Sequence, residues 1–239
     1  MRYVDVFKKR WTPDWLVVKS DYLNAKDPDY FKFSGTQIYI GRQGSGKTIS
    51  SVRDVLKIKE MYPKCKVVTN LDLQVDWADE VITFQNADEL ADVLVNVNNG
   101  KYGVVYLIDE IHTYFNSLDS KNIPPYVFTE ISQQRKQRKL IIGTSQLFLR
   151  LAKPFREQCD HMINCRTVLG KLTFQTAYDA ATVSTDVDGG IVAERVKSSF
   201  FWHTDYIRNA YDTFQKVVSG SVQFQEYENT ESKKRGRRR

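Results

Sequence analysis

The stretch "GRQGSGKT", residues 41–48, has the spacing G-x-x-x-x-G-K-[ST]. Gly41, Gly44 and Gly46, with Ser45 among them, let the backbone bend until successive N–H groups point inward at phosphate oxygens, in a concavity that larger side chains would obstruct. Lys47 would then reach the β- and γ-phosphates, and the Thr48 hydroxyl would bind Mg²⁺. A loop of this kind only binds. Hydrolysis also needs a metal held opposite the loop and a water aligned for in-line attack, and an acidic pair at the end of a neighbouring strand supplies both. Asp109 and Glu110 stand where the apolar run "VVYLI" ends. Asp109 fits a magnesium ligand acting through water, and Glu110 a base that orients or polarises the attacking water. In "LIIGTSQ", Gln146 is placed to sense the γ-phosphate or hold that water, with Ser145 as the alternative. Charge developing on the γ-phosphate calls for a cation, and "QQRKQR" offers Arg135 and Arg138, three apart on one expected helix face. The same face could equally be a solvated basic surface.

These residues are useful only if the chain positions them. A phosphate loop must leave a buried strand and open a helix whose N-terminal N–H groups face the phosphate. "TQIYI", 36–40, is β-branched and aromatic enough to be that strand, and apolar residues from Ile49 to Ile58 recur at mostly helical spacing before Pro63. Further strands are expected at "KCKVVTN" (64–70), "VITF" (81–84), Val104–Ile108 and "LIIGTSQ" (140–146). Val104–Ile108 is apolar without alternation, which marks a strand covered on both faces. Asn86 and Glu89 can cap a helix reciprocally, and residues 124–139 read as one helix starting near its prolines. Alternating strands and helices imply an α/β, doubly wound, mostly parallel sheet with ligands at the strand carboxyl ends. Short pieces over 160–206, with a "DGG" turn at 188–190, read as an antiparallel extension. The expected organisation is an arm over 1–34, an ATPase domain over 35–220 and a basic tail over 221–239.

The net charge of +6 is localised: "ESKKRGRRR", 231–239, carries +5 of it, so the body is nearly neutral. Such a tail is either a solvated end or an attachment to phosphates or an anionic surface. Three cysteines without framework spacing suit a reducing cytoplasm, and "CDHMINCRT" reads as a strand edge rather than a metal cluster. No apolar run approaches a bilayer span, and the N-terminus lacks a signal peptide's apolar region.

With "GRQGSGKT", "KVVTNLDL", "VVYLIDEIH", an Arg-rich helix leading to "LIIGTSQ", and "AYDTF" at 210–214, the sequence resembles the zonular occludens toxin-like (Zot) ATPases and, more widely, the FtsK/HerA superfamily of DNA-pumping motors. The resemblance covers about residues 35–215. It implies a RecA-like P-loop NTPase fold, ATP with Mg²⁺, and a homo-oligomeric, hexameric ring that moves DNA in phage genome packaging or extrusion. It assigns Lys47 and Thr48 to the phosphate-loop pair, Asp109 and Glu110 to the acidic pair, Gln146 to the polar sensor, and Arg135 or Arg138 to a finger supplied by an adjacent subunit. Filamentous-phage members typically continue into a membrane-spanning segment, whereas this sequence ends in a basic tail. Packaging into a capsid is therefore expected ahead of membrane extrusion, in the host cytoplasm, with recruitment to capsid or inner-membrane assembly proteins. The runner-up is a nucleotide-switched assembly factor with slow turnover and no DNA movement, and a small-molecule kinase ranks last.

Overall fold

The computed structural model describes residues 23–24, 26–118, 120–185 and 191–212. Most of the N-terminal arm, the 188–190 turn, residues 213–214 of "AYDTF" and the basic tail lie outside them.

An eight-stranded sheet forms the centre. Its parallel part comprises β1 (Gly35–Ile40), β2 (Lys66–Thr69), β3 (Val81–Thr83), β4 (Val104–Ile108), β5 (Lys139–Ser145) and β6 (His161–Val168). The helices between them are α1 (Lys47–Met61), α2 (Ala87–Asn96), α3 (Pro125–Ser132), α4 (Gln134–Gln137) and α5 (Lys153–Arg156). β7 (Leu172–Asp179) follows, then the small hairpin of β8 (Ser184–Thr185) and β9 (Ile191–Val192), then β10 (Arg195–Trp202) and α6 (Asp205–Asn209). The sheet order is β10-β7-β6-β1-β5-β4-β2-β3, so β5 lies between the strand that feeds the loop and the strand that carries the acids. β6 pairs parallel with β1, and the antiparallel part begins only at β7. The sequence expectation of an antiparallel extension from residue 160 is corrected there: alternation along "HMINCRT" is the same whichever way the strand runs, and only the pairing decides it.

Burial explains the order. Every residue of β4 and β5 is buried, because helices cover both faces of the parallel part. Val104, Tyr106 and Ile108 face one core with Ile38, Ile141 and residues of α2 and α3, while Val105 and Leu107 face another with Tyr39, Ile142 and α1. Phe31, fully buried, seals an edge of the second core by edge-on contact with Tyr62 at 5.2 Å.

Two local expectations change. The Asn86 side chain accepts from Glu89 N–H at 2.8 Å, but the Glu89 carboxylate takes the Gln85 N–H at 2.7 Å rather than that of Asn86 itself, so the cap is shifted by one residue. Residues 124–139 are not one helix. The chain breaks at Gln133, and Arg138 is left-handed at φ 52° because the backbone must turn there to enter β5. Lys139 is then a buried strand residue whose Nζ donates to the Leu94 carbonyl at 2.5 Å, and burial lowers its pKa. Among the described residues no helix is long and apolar enough to cross a membrane.

Candidate functional site

The loop leaves β1 at Gly41 (φ 144°) and enters α1 through Gly46 (φ 86°), with Gly44 at φ 75° between them. A Cβ on Gly46 would lie 2.3 Å from Thr167 Oγ1, so this position requires glycine sterically as well as conformationally. No side chain caps α1 and its first turn carries no carboxylate, which leaves its N-terminal N–H groups available for an anion. Thr167 of β6 donates to the Ser45 carbonyl at 2.9 Å and so fixes the loop to the neighbouring strand. Lys47 is buried, and its ammonium donates to the Arg42 carbonyl at a long 3.3 Å. Among the described residues no carboxylate forms an ion pair with it, so a buried cation lacks its counter-charge.

The acids stand opposite. The register Ile108↔Gly143 continues to Asp109 beside Thr144, two residues short of Gln146. Asp109 Oδ1 accepts from Thr48 Oγ1 at 2.9 Å and from Thr144 Oγ1 at 2.7 Å, which joins loop, β4 and β5 at one atom. Asn70, just after β2, clasps the Asp109 backbone from both sides, accepting from its N–H at 2.8 Å and donating to its carbonyl at 2.9 Å. Glu110 is left-handed at φ 48°, a conformation costing about 1 kcal/mol for such a residue, and its N–H donates to Thr144 Oγ1 at 2.9 Å. Its Oε2 is buried and lies 3.1 Å from His112 Nδ1, in a geometry that makes no hydrogen bond. Burial, and then the charge of Asp109, raise the Glu110 pKa, against the opposing charges of Lys47 and Arg150. Burial holds the His112 pKa down, assisted by Arg150 and Lys47.

Loop and acids line a cleft of ≈ 840 Å³ at the carboxyl ends of the strands, together with Gln146, His203 and Arg208. Gln146 is at its rim, where its Oε1 faces Arg150 Nη1 at 3.4 Å. Arg135 and Arg138 are elsewhere. They sit at the amino end of β5, roughly 20 Å along the strand from the loop, in a separate cleft where Arg138 donates to Tyr30 Oη at 2.6 Å and stacks 4.3 Å over its ring. Since Arg138 has left the helix, the two arginines do not share a helix face. The contacts of Asn70, Thr144, Thr167 and His112 are absent from the sequence reading. Asn70 lies within "KVVTNLDL" and His112 within "VVYLIDEIH", but nothing local signals their partners.

The residues fit a magnesium nucleotide. Three left-handed glycines form a cradle that a Cβ would obstruct at Gly41 and Gly46, Ser45 Oγ and Glu110 Oε2 are buried without hydrogen-bond partners, and Thr48 and Asp109 offer hard oxygens.

A family model described as zonular occludens toxin (Zot) matches residues 35–198. No curated protein sequence matches this one. Among solved structures, the N-terminal domain of zonular occludens toxin from Neisseria meningitidis superposes with a TM-score of 0.53 at 16% identity, over 75% of this chain and 99% of that one. The DNA-packaging ATPase B204 from Sulfolobus turreted icosahedral virus gives a TM-score of 0.48 at 13% identity, over 70% of this chain and 97% of its own. The first likeness is one of fold.

Proposed function

This chain belongs to the zonular occludens toxin (Zot) family, and on that premise we propose that it is an ATP-hydrolysing motor that moves DNA for a virus or mobile element, in genome packaging. The observation that carries the reading is the single Asp109 oxygen shared by the Thr48 and Thr144 hydroxyls, because it ties the phosphate loop to the acidic pair and the intervening strand. Lys47 and the N–H groups of Gly41, Gly44, Ser45 and Gly46 bind and orient the phosphates. Magnesium, held by Thr48 and through water by Asp109, would supply charge neutralisation at the phosphate oxygens. Glu110 takes up a proton from the attacking water, and its raised pKa makes it a stronger base than an ordinary carboxylate. Gln146 at the rim orients that water.

Arg135 or Arg138, remote from the nucleotide cleft of their own chain, complete the site of a neighbouring copy in a homo-hexameric ring. The ring works in the host cytoplasm, recruited to capsid or membrane assembly proteins, and the basic tail adds charge for DNA phosphates.

The test is phosphate release from ATP by the wild type alone, with single-stranded DNA and with duplex, alongside solution mass with and without ATP. Turnover stimulated by DNA in an oligomer is the expected result. Turnover indifferent to DNA in a stable monomer would replace the motor with a nucleotide-switched assembly factor.

A further inference from the structure

Among the described residues no helix covers the face of β7 and β10 turned away from α1. Phe174, Phe200 and Trp202 lie on it, 43%, 63% and 61% exposed. The register pairs Phe200 with Phe174 and Trp202 with Leu172, so all three aromatic side chains point the same way. The Phe174 and Phe200 rings are 6.0 Å apart, and Trp202 follows Phe200 by two residues, about 7 Å along the strand. Large rings presented to solvent at this spacing are unlike the scattered apolar residues of an ordinary surface.

We propose that this face binds single-stranded DNA by stacking successive bases on Phe174, Phe200 and Trp202. The choice of DNA rests on the motor reading above; the choice of a single strand rests on the surface. A duplex hides the planes of its bases, whereas a single strand exposes them to aromatic platforms on open sheets. Charge agrees. Arg166 stands directly across from Phe174 on the same face, exposed, and the alternate positions of this face on β6, β7 and β10, from Asn164 to Trp202, include no carboxylate. A polyanion is matched there. Arg195 and Lys197 on the edge strand discourage strand-to-strand pairing with a second copy.

The face also has a route to the nucleotide. Phe201, between Phe200 and Trp202, points to the opposite side, where the Arg53 guanidinium of α1 lies 3.9 Å from its ring centroid. Arg53 also donates to Gln175 of β7 at 3.0 Å, so the helix that opens at the phosphate loop is tied to both strands of the aromatic face.

The experiment is fluorescence anisotropy of a dye-labelled oligothymidylate, without nucleotide, against the full chain and its variants, the basic tail being common to all. Phe200→Ala with Trp202→Ala is expected to weaken single-strand binding about 10-fold or more, while Phe200→Tyr with Trp202→Phe keeps it within about threefold. Unchanged affinity in the double alanine variant, or equal loss in both pairs, overturns the proposal, as does a labelled duplex that binds as well as the single strand. A fall in solution mass on the alanine substitutions also overturns it and assigns the face to a subunit contact. Phosphate release separates the two readings. DNA stimulation that survives in the alanine variant defeats this proposal alone, and ring-dependent binding with no stimulation of the wild type defeats the motor alone.

Discussion

β4 and β10 belong to one sheet and differ completely in environment. All five residues of β4 are buried, and seven of the eight in β10 are exposed. In the parallel half, helices on both faces leave no freedom: Asp109 is set by its strand, its backbone clasp and two hydroxyls. In the antiparallel half Phe174, Phe200 and Trp202 leave much of their surface to solvent, with only the Phe174–Phe200 ring pair between them. The contrast separates a rigid region suited to chemistry from an open one suited to contact, with Thr167 and Arg53 joining them.

The largest expected effect tests the contrast in stability. Leu107→Ala, in β4, opens a cavity in a closed core and should cost about 3 kcal/mol, whereas Phe200→Ala should stay within about 0.5 kcal/mol. Urea midpoints measure both, and equal costs would break the comparison. A smaller effect is expected where the halves meet. Thr167→Val removes the hydroxyl that holds the Ser45 carbonyl, a bond of about 1 kcal/mol, and should raise KM for ATP about fivefold while leaving kcat in place. A fall in kcat with constant KM would instead place Thr167 in the chemistry.

The smallest effect is in pH. Burial holds the pKa values of His112 and His203 below 6.5, so on acidification through that range the unfolded chain takes up protons that the native state refuses. Stability should therefore fall between pH 7.5 and 5.5, and His112→Asn should flatten the slope. Glu110 acts with the opposite sign, since its raised pKa makes the folded state the better proton acceptor as the pH falls.

What was legible in the sequence follows the same division. The loop, the acidic pair and the strand between Val104 and Ile108 are local signals, each carried by neighbouring residues, and Thr48 and Asp109 lie within hydrogen-bond distance. The polar end of β5 is visible in the sequence at Gln146, while the register against β4 that brings Thr144 to Asp109 is not. Asn70 and Thr167 depend on β2 and β6 lying where the sheet order puts them. "QQRKQR" favours helix throughout, and only the demand that Lys139 enter a buried strand ends the helix before Arg138. The aromatic residues of β10 were visible as strand formers, but their exposure follows from an edge position that no local pattern encodes.

We propose that Glu110, two residues past the end of β4 and beside the Asp109 that is bonded to the phosphate loop, activates water for ATP hydrolysis. Glu110→Gln keeps size and backbone and removes the base, so the direct measurement is ATP binding by calorimetry beside phosphate release for this variant. The account predicts affinity within about threefold of wild type and turnover reduced about 100-fold or more. Phosphate release at the wild-type rate by Glu110→Gln would contradict it.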